Sequence, residues 1–173
     1  ITNNVEDKVE RLKSYEWKVS DLIIEDNVRT FSAVFQNHGG YFYAVESKSL
    51  KDTLMGIVKG KSSIVYTNLR PEHEEAVKEL GFERIVRLEK GSSIEAKKEL
   101  FNIDVGVLEP DALAAESGSV VLFDFDATKS FVAFLPEIFI ALADESMLYD
   151  TLPEAVGSLI KKYNRIPATI QIV

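Results

Sequence analysis

Three short runs, Ile64-Val65-Tyr66, Ile85 to Leu88 and Val105 to Leu108, are apolar at nearly every position rather than at every second one. A strand with one wet face alternates, whereas a strand apolar throughout has both faces covered, as in a parallel sheet clad by helices. The stretches between these runs carry helix punctuation. Pro71, Glu72, Glu74 and Glu75 open one helix, because proline suits the first turn and acids there suit the macrodipole. Its apolar face is Ala76, Val77 and Leu80, and Gly81-Phe82 closes it. Ser49 and Asp52 make a capping-box-like start for a helix bearing Leu50, Leu54, Ile57 and Val58, ended by Gly60. Ser92 and Glu95 suggest another, ending near Phe101. Upstream, Val28, Phe31 and Phe35 share a helical face that stops at Gly39-Gly40, and the aromatic run Tyr41 to Val45 reads as a strand. Val5, Val9 and Leu12, then Tyr15 and Val19, predict a first helix at about residues 3–19, packed outside the sheet. The class is α/β, with a mainly parallel sheet sandwiched by helices.

The rhythm changes after Pro110. Ala112 to Ala115 and Ser119 to Phe125 read as two strands of a hairpin turned by Ser117-Gly118. Glu137 to Leu142 reads as a further strand, and Thr151 and Glu154 cap a helix bearing Val156, Leu159 and Ile160. Ala168 to Val173 reads as the last strand. The expectation is parallel βα units, then a β-rich insertion, then one more helix and strand, all in a single domain over residues 1–173. The apolar close of the chain suggests a further C-terminal segment beyond Val173.

Composition narrows the function. With 46% hydrophobic residues the chain can build a core, and its net charge of -8 disfavours nucleic acid and anionic membrane surfaces, which recruit clustered cations. The longest apolar stretch, Phe131 to Ala143, is interrupted by Pro136 and Glu137 and is too short to span a bilayer, so no membrane insertion is expected. There is no cysteine, which removes disulfides, thiolate nucleophiles and thiolate ligation of iron–sulfur clusters or zinc and fits a cytoplasmic protein. No metal or redox cofactor is expected to be bound by this chain alone.

The chain has no G-x-G-x-x-G, P-loop, G-x-S-x-G or H-E-x-x-H motif. Its two histidines, His38 and His73, are separated in sequence and read as solvated surface residues without metal logic. Asp124 and Asp126 alternate around Phe125, so they either bind a hard cation or form a polar outer face running into a turn. Glu46, Asn68 and Glu109 follow expected parallel strands, where α/β sheets gather ligands; ordinary loop polarity is the alternative. Glu116 ends an otherwise apolar strand, Ser117, Gly118 and Ser119 form its turn, and Glu137 starts another apolar strand after Pro136. Two acids in matching contexts are equally a site or a pair of turn residues.

Those segments carry a resemblance. Asp104–Val107, Leu113–Leu122 (with its Ala-Ala-Glu-Ser-Gly-Ser core) and Leu135–Leu142 resemble the lactate-utilization (LUD) domain family of the LutC/YkgG type. Its pattern runs D-[VI]-G-[IV], then A-[IL]-A-E-[TS]-G-[ST]-[LIV]-[VI]-L, then L-P-x-x-[HF]-[IV]-A-[LV]. The segment Phe31 to Val45 and the close at Ile166-Pro167 also suit it. The resemblance implies a fold like that of the NagB/RpiA/CoA-transferase group. It also implies a part in oxidising L-lactate to pyruvate beside partner subunits that carry iron–sulfur clusters. The family's Gly- and Arg-containing loop is here Asp124 to Ser130, acidic and lacking both residues, and its G-P-S-R-T-A-D-I-E segment is absent.

Three functions compete on these grounds: a subunit of a lactate-oxidising assembly, a stand-alone enzyme or sensor for a small carboxylate, phosphate or CoA-type ligand, and a structural or regulatory relative that has lost the site. The expected site joins the Glu116-Ser117-Gly118 turn, the Asp124–Ser130 loop and the Pro136-Glu137 strand start, with Ser119 and Glu109 nearby. In that arrangement Lys129, Ser130 and the turn N–H groups hold a small carboxylate, while Glu116 orients Lys129 or acts as a general base.

Overall fold

The computed structural model describes residues 10, 26–93 and 98–173. The expected helix at 3–19 and most of the helix expected after Ser92 lie outside the described residues. In chain order the elements are α1 (Asn27–Asn37), α2 (Leu50–Ile57), β1 (Ser63–Thr67), α3 (Pro71–Lys78), β2 (Arg84–Arg87), β3 (Val105–Leu108), β4 (Ala112–Ala114), β5 (Ser119–Asp124), α4 (Thr128–Phe134), β6 (Ile138–Ala141), β7 (Leu148–Tyr149), α5 (Leu152–Tyr163) and β8 (Thr169–Ile172). They form two compact units. One, the parallel-sheet unit, holds residues 43–109 and 124–143. The other, the mixed-sheet unit, holds the described residues up to 42 together with 110–123 and 144–173.

The parallel-sheet unit has the strand order β2-β1-β3-β6, with every neighbouring pair parallel. Register sets Ile64 beside Val105 and Thr67 beside Leu108. The two-residue period then sorts the side chains. Ile64, Tyr66, Val105 and Val107 face Leu54, Val58 and Val77 from α2 and α3, with Leu142 completing that cluster. The other face is covered by α4, which lies against β3 and β1. Gly106 is what admits it: a Cβ there would stand 2.0 Å from the Val132 carbonyl oxygen. At the amino end of the sheet Asp104 ties β3 to β1, accepting from Ser63 Oγ at 2.7 Å, Ser63 N at 2.9 Å and Ser62 N at 3.0 Å. These bonds, Ser63 Oγ foremost, favour the carboxylate and lower its pKa to about 2.

The mixed-sheet unit has the order β7-β4-β5-β8. β4 and β5 form the expected hairpin, with Leu113 opposite Val120, while β7 joins β4 in parallel. Val120 and Val173 exchange backbone bonds at 2.9 and 3.0 Å, which marks β8 as antiparallel to β5. α5 presents Ala155, Val156, Leu159 and Ile160 to the core and is capped as its sequence suggests, Glu154 N–H donating to Thr151 Oγ1. Asp111 is buried inside this unit, accepting from Phe123 N at 2.7 Å and from the Tyr163 hydroxyl.

Three expectations are corrected. Tyr41 to Val45 is unpaired chain, not a strand: Phe42 packs on Phe31 while Tyr41 is 84% exposed. The stretch after Asp124 is not all loop, because residues 128–134 form α4. Finally, β6 belongs to no β-rich insertion. It returns to the parallel sheet beside β3, and among the described residues the hairpin, β7 and β8 build the second sheet.

Candidate functional site

After β1 the chain crosses to β2 on one side, whereas β3 lies on the other side of β1. That reversal makes the carboxyl ends of β1 and β3 a topological switch point, where open α/β sheets leave a crevice for ligands. Thr67 and Leu108 are the last paired residues there, so Asn68 and Glu109 are the first residues beyond the sheet. Asn68 is exposed and left-handed, with φ +53°, a conformation that asparagine tolerates; it turns the chain toward Arg70 and the start of α3.

Glu109 is 8% exposed and is the centre of the site. Its Oε1 accepts from Arg70 N at 2.8 Å and Arg70 Nε at 3.1 Å, and its Oε2 from Arg70 Nη2 at 3.3 Å. His73 Nδ1 lies 2.7 Å from the same Oε1. A buried carboxylate needs such partners, and a two-point guanidinium contact is the strongest that side chains supply. An ionised carboxylate only accepts, so in this contact the ring nitrogen Nδ1 carries the proton and donates. Among the described residues Nε2 has no hydrogen-bond partner. This corrects the reading of His73 as a solvated residue, since its side chain is only 13% exposed; His38, by contrast, is exposed. Nothing in the sequence links positions 70, 73 and 109 except their places after two strands.

The remaining expected residues divide between the units. In the mixed-sheet unit, Glu116 is half-buried and accepts the first helical N–H of α5, Leu152 N, at 3.1 Å, which suits a carboxylate at a helix N-terminus. The turn N–H groups are less available than expected. Glu116 N donates to Asp150 O at 3.0 Å and Gly118 N to Ala115 O at 3.3 Å. Gly118 takes φ +61°, and a Cβ on it would stand 2.6 Å from Phe35 N, so α1 closes over the turn. Ser117 Oγ is buried without a hydrogen-bond partner among the described residues, and Ser119 is a buried β5 residue opposite Ala114.

In the parallel-sheet unit, Glu137 is exposed and pairs with Lys61 at 2.7 Å. It precedes β6, at the amino end of the sheet, whereas Glu109 stands at the carboxyl end, so these two expected site acids are not neighbours. Lys129 and Ser130 lie in the first turn of α4. Asp124 is no polar outer-face residue. It is 1% exposed, and its Oδ2 accepts from Ser130 N at 2.7 Å and from Ser130 Oγ. Asp126 accepts from Thr128 N at 3.1 Å, so the two acids organise the start of α4. Glu46 is exposed beside Lys48 and follows no strand. Among the described residues no three His, Asp or Glu side chains converge in a way that could hold a metal ion, and no helix is long and apolar enough to cross a membrane.

A parallel sheet wound with helices on both faces, with the Arg70–Glu109–His73 group at its switch point, defines a Rossmann-like α/β body. Residues 28–171 match the LUD domain, and the chain belongs to that family. Its fold is similar to the crystal structure of a DUF162 family protein from Deinococcus radiodurans, at a TM-score of 0.68 and 15% identity over 85% of each chain. No curated protein matches the sequence.

Proposed function

We propose that this chain is a lactate-utilization protein of the LutC/YkgG type, a subunit of an assembly that oxidises L-lactate to pyruvate with iron–sulfur partner subunits. Its contribution is a binding body for a small carboxylate, and the electrons travel through the partners. The supporting observation is the buried Arg70–Glu109–His73 group at the β1/β3 switch point, in a chain that matches the LUD domain and holds no cysteine. A guanidinium and an imidazole at the mouth of such a crevice suit a carboxylate ligand. Glu116 serves as an anchor for α5 on this reading.

Removing the chain from its host tests the proposal. Growth on L-lactate should stop while growth on a sugar continues, and the wild-type chain should restore it. Glu109→Gln should restore it poorly and Glu116→Gln well, and affinity purification should recover subunits with iron–sulfur absorbance. Normal growth on L-lactate without the chain overturns the proposal. The second reading, a stand-alone ligand-binding protein, is favoured if the chain binds its carboxylate yet recovers no such subunits.

A further inference from the structure

We infer that the outer edge of β8 is a dimerisation surface, on which a second copy of this chain adds its own β8, antiparallel, about a two-fold axis through Gln171. The backbone fixes which groups that edge offers. Val173 turns both its N–H and its C=O to Val120 of β5. Such pairs alternate in an antiparallel ladder, so Gln171 also faces β5, while Ile170 and Ile172 turn their N–H and C=O groups outward. β8 ends the order β7-β4-β5-β8, and among the described residues no strand lies beyond it. The same two isoleucines are 42% and 51% exposed, and the two-residue period sets both on one face.

Edge strands are normally guarded by charge, proline or brevity. β7 is two residues long, and β2 carries Arg84 and Arg87 at its ends, which an antiparallel copy of itself would set opposite each other. β6 has no charge, but none of its side chains is exposed. β8 lacks these guards. Ile166 to Val173 holds no charged residue, and its one proline, Pro167, stands ahead of the strand. Charge selects a second copy as the occupant. Two chains of net charge -8 repel over most of their surfaces, yet here they meet with no like charges across the ladder. With the axis at Gln171, Ile170 of one copy lies opposite Ile172 of the other. Each such pair exchanges both backbone bonds and packs two β-branched side chains. A ladder of one short strand is a small interface, so the dimer is weak and reversible.

Sedimentation of the whole chain over a wide range of concentration, with amide exchange on the same samples, tests this. The chain should pass from monomer to dimer. Dilution should speed exchange at Ile170 and Ile172 but not at Gln171, which faces β5. Ile170→Lys should weaken the dimer by about tenfold and leave the urea midpoint unchanged, the position being exposed. Adding Ile172→Glu to it should restore association, because this register sets the new cation opposite the new carboxylate across the axis. A chain that is monomeric at every concentration overturns the inference, as does a dimer indifferent to Ile170→Lys. A folded double variant that does not re-associate overturns it too. Ile170 and Ile172 amides that stay protected in the monomer overturn it in favour of a covering strand from the same chain.

Discussion

Glu109 and Asp111 stand on either side of Pro110, equally buried at 8% exposure, yet they belong to different units and hold different elements. Glu109 is met by the Arg70 guanidinium and the His73 imidazole, at the open end of a parallel sheet. Asp111 accepts from a β5 backbone N–H and from the Tyr163 hydroxyl, inside its own unit. The first arrangement keeps charged groups at an edge where a ligand can compete for them. The second uses a carboxylate as a brace between β5 and α5. Burial alone does not mark a functional acid; the character of its partners does.

The sharpest way to break this comparison is to delete both acids in turn. Asp111→Ala should lower stability by about 2–4 kcal/mol, because two inward donors lose their acceptor. Glu109→Ala should cost about 1–2 kcal/mol, since Arg70 and His73 both retain some access to water. Urea unfolding of each variant measures both, and an equal or reversed order would undo the distinction between brace and site.

A milder contrast comes from pH. Burial, reinforced by the bond to Asp111, pushes the Tyr163 hydroxyl well above its ordinary value near 10. The folded state therefore holds that proton more tightly than the unfolded chain does. Its contribution is complete below about pH 10 and fades as pH rises beyond it. Asp104 works in the opposite sense. Its pKa, lowered to about 2 from 3.8, gives stability present above about pH 4 and lost as pH falls toward 2. Alkaline titration should thus loosen the mixed-sheet unit first and acid the parallel-sheet unit first, as followed by hydrogen exchange. Tyr163→Phe should remove the alkaline dependence and Asp104→Asn the acid one.

The smallest effect is expected at Glu137, the candidate acid that stands at the amino end of the sheet. Glu137→Gln breaks only an exposed pair with Lys61 and should leave the urea midpoint and lactate growth unchanged. A growth defect would move the site away from Glu109.

Legibility in the sequence followed the range of the interactions. β1 and β3 were readable from their own apolar runs, α3 from Pro71 and its acids, the hairpin from Ser117-Gly118 and α5 from Thr151 and Glu154, all local signals. α4 was hidden because Phe131, Val132, Ala133 and Phe134 form an unbroken apolar run, and because its start is organised by Asp124 reaching six residues forward to Ser130. Tyr41 to Val45 misled through aromatic content, which favours strands only where a partner edge exists. The site was half visible. Glu109 could be placed at a strand end, but its partners stand 36 and 39 residues earlier, brought near by a crossover that no local pattern encodes.

The division of the chain bears on how the molecule is made. A ribosome finishes β1, β2 and β3 by residue 108, but the edge strand β6 and the covering helix α4 arrive only after the hairpin of the other unit has been added. Until about residue 143 emerges, the growing sheet displays β3 as an open edge, with Gly106 and its neighbours bare on one face. Synthesis that pauses between residues 110 and 140 should therefore yield the most chaperone-dependent nascent chains, and a cut at Pro110 cannot release an intact half.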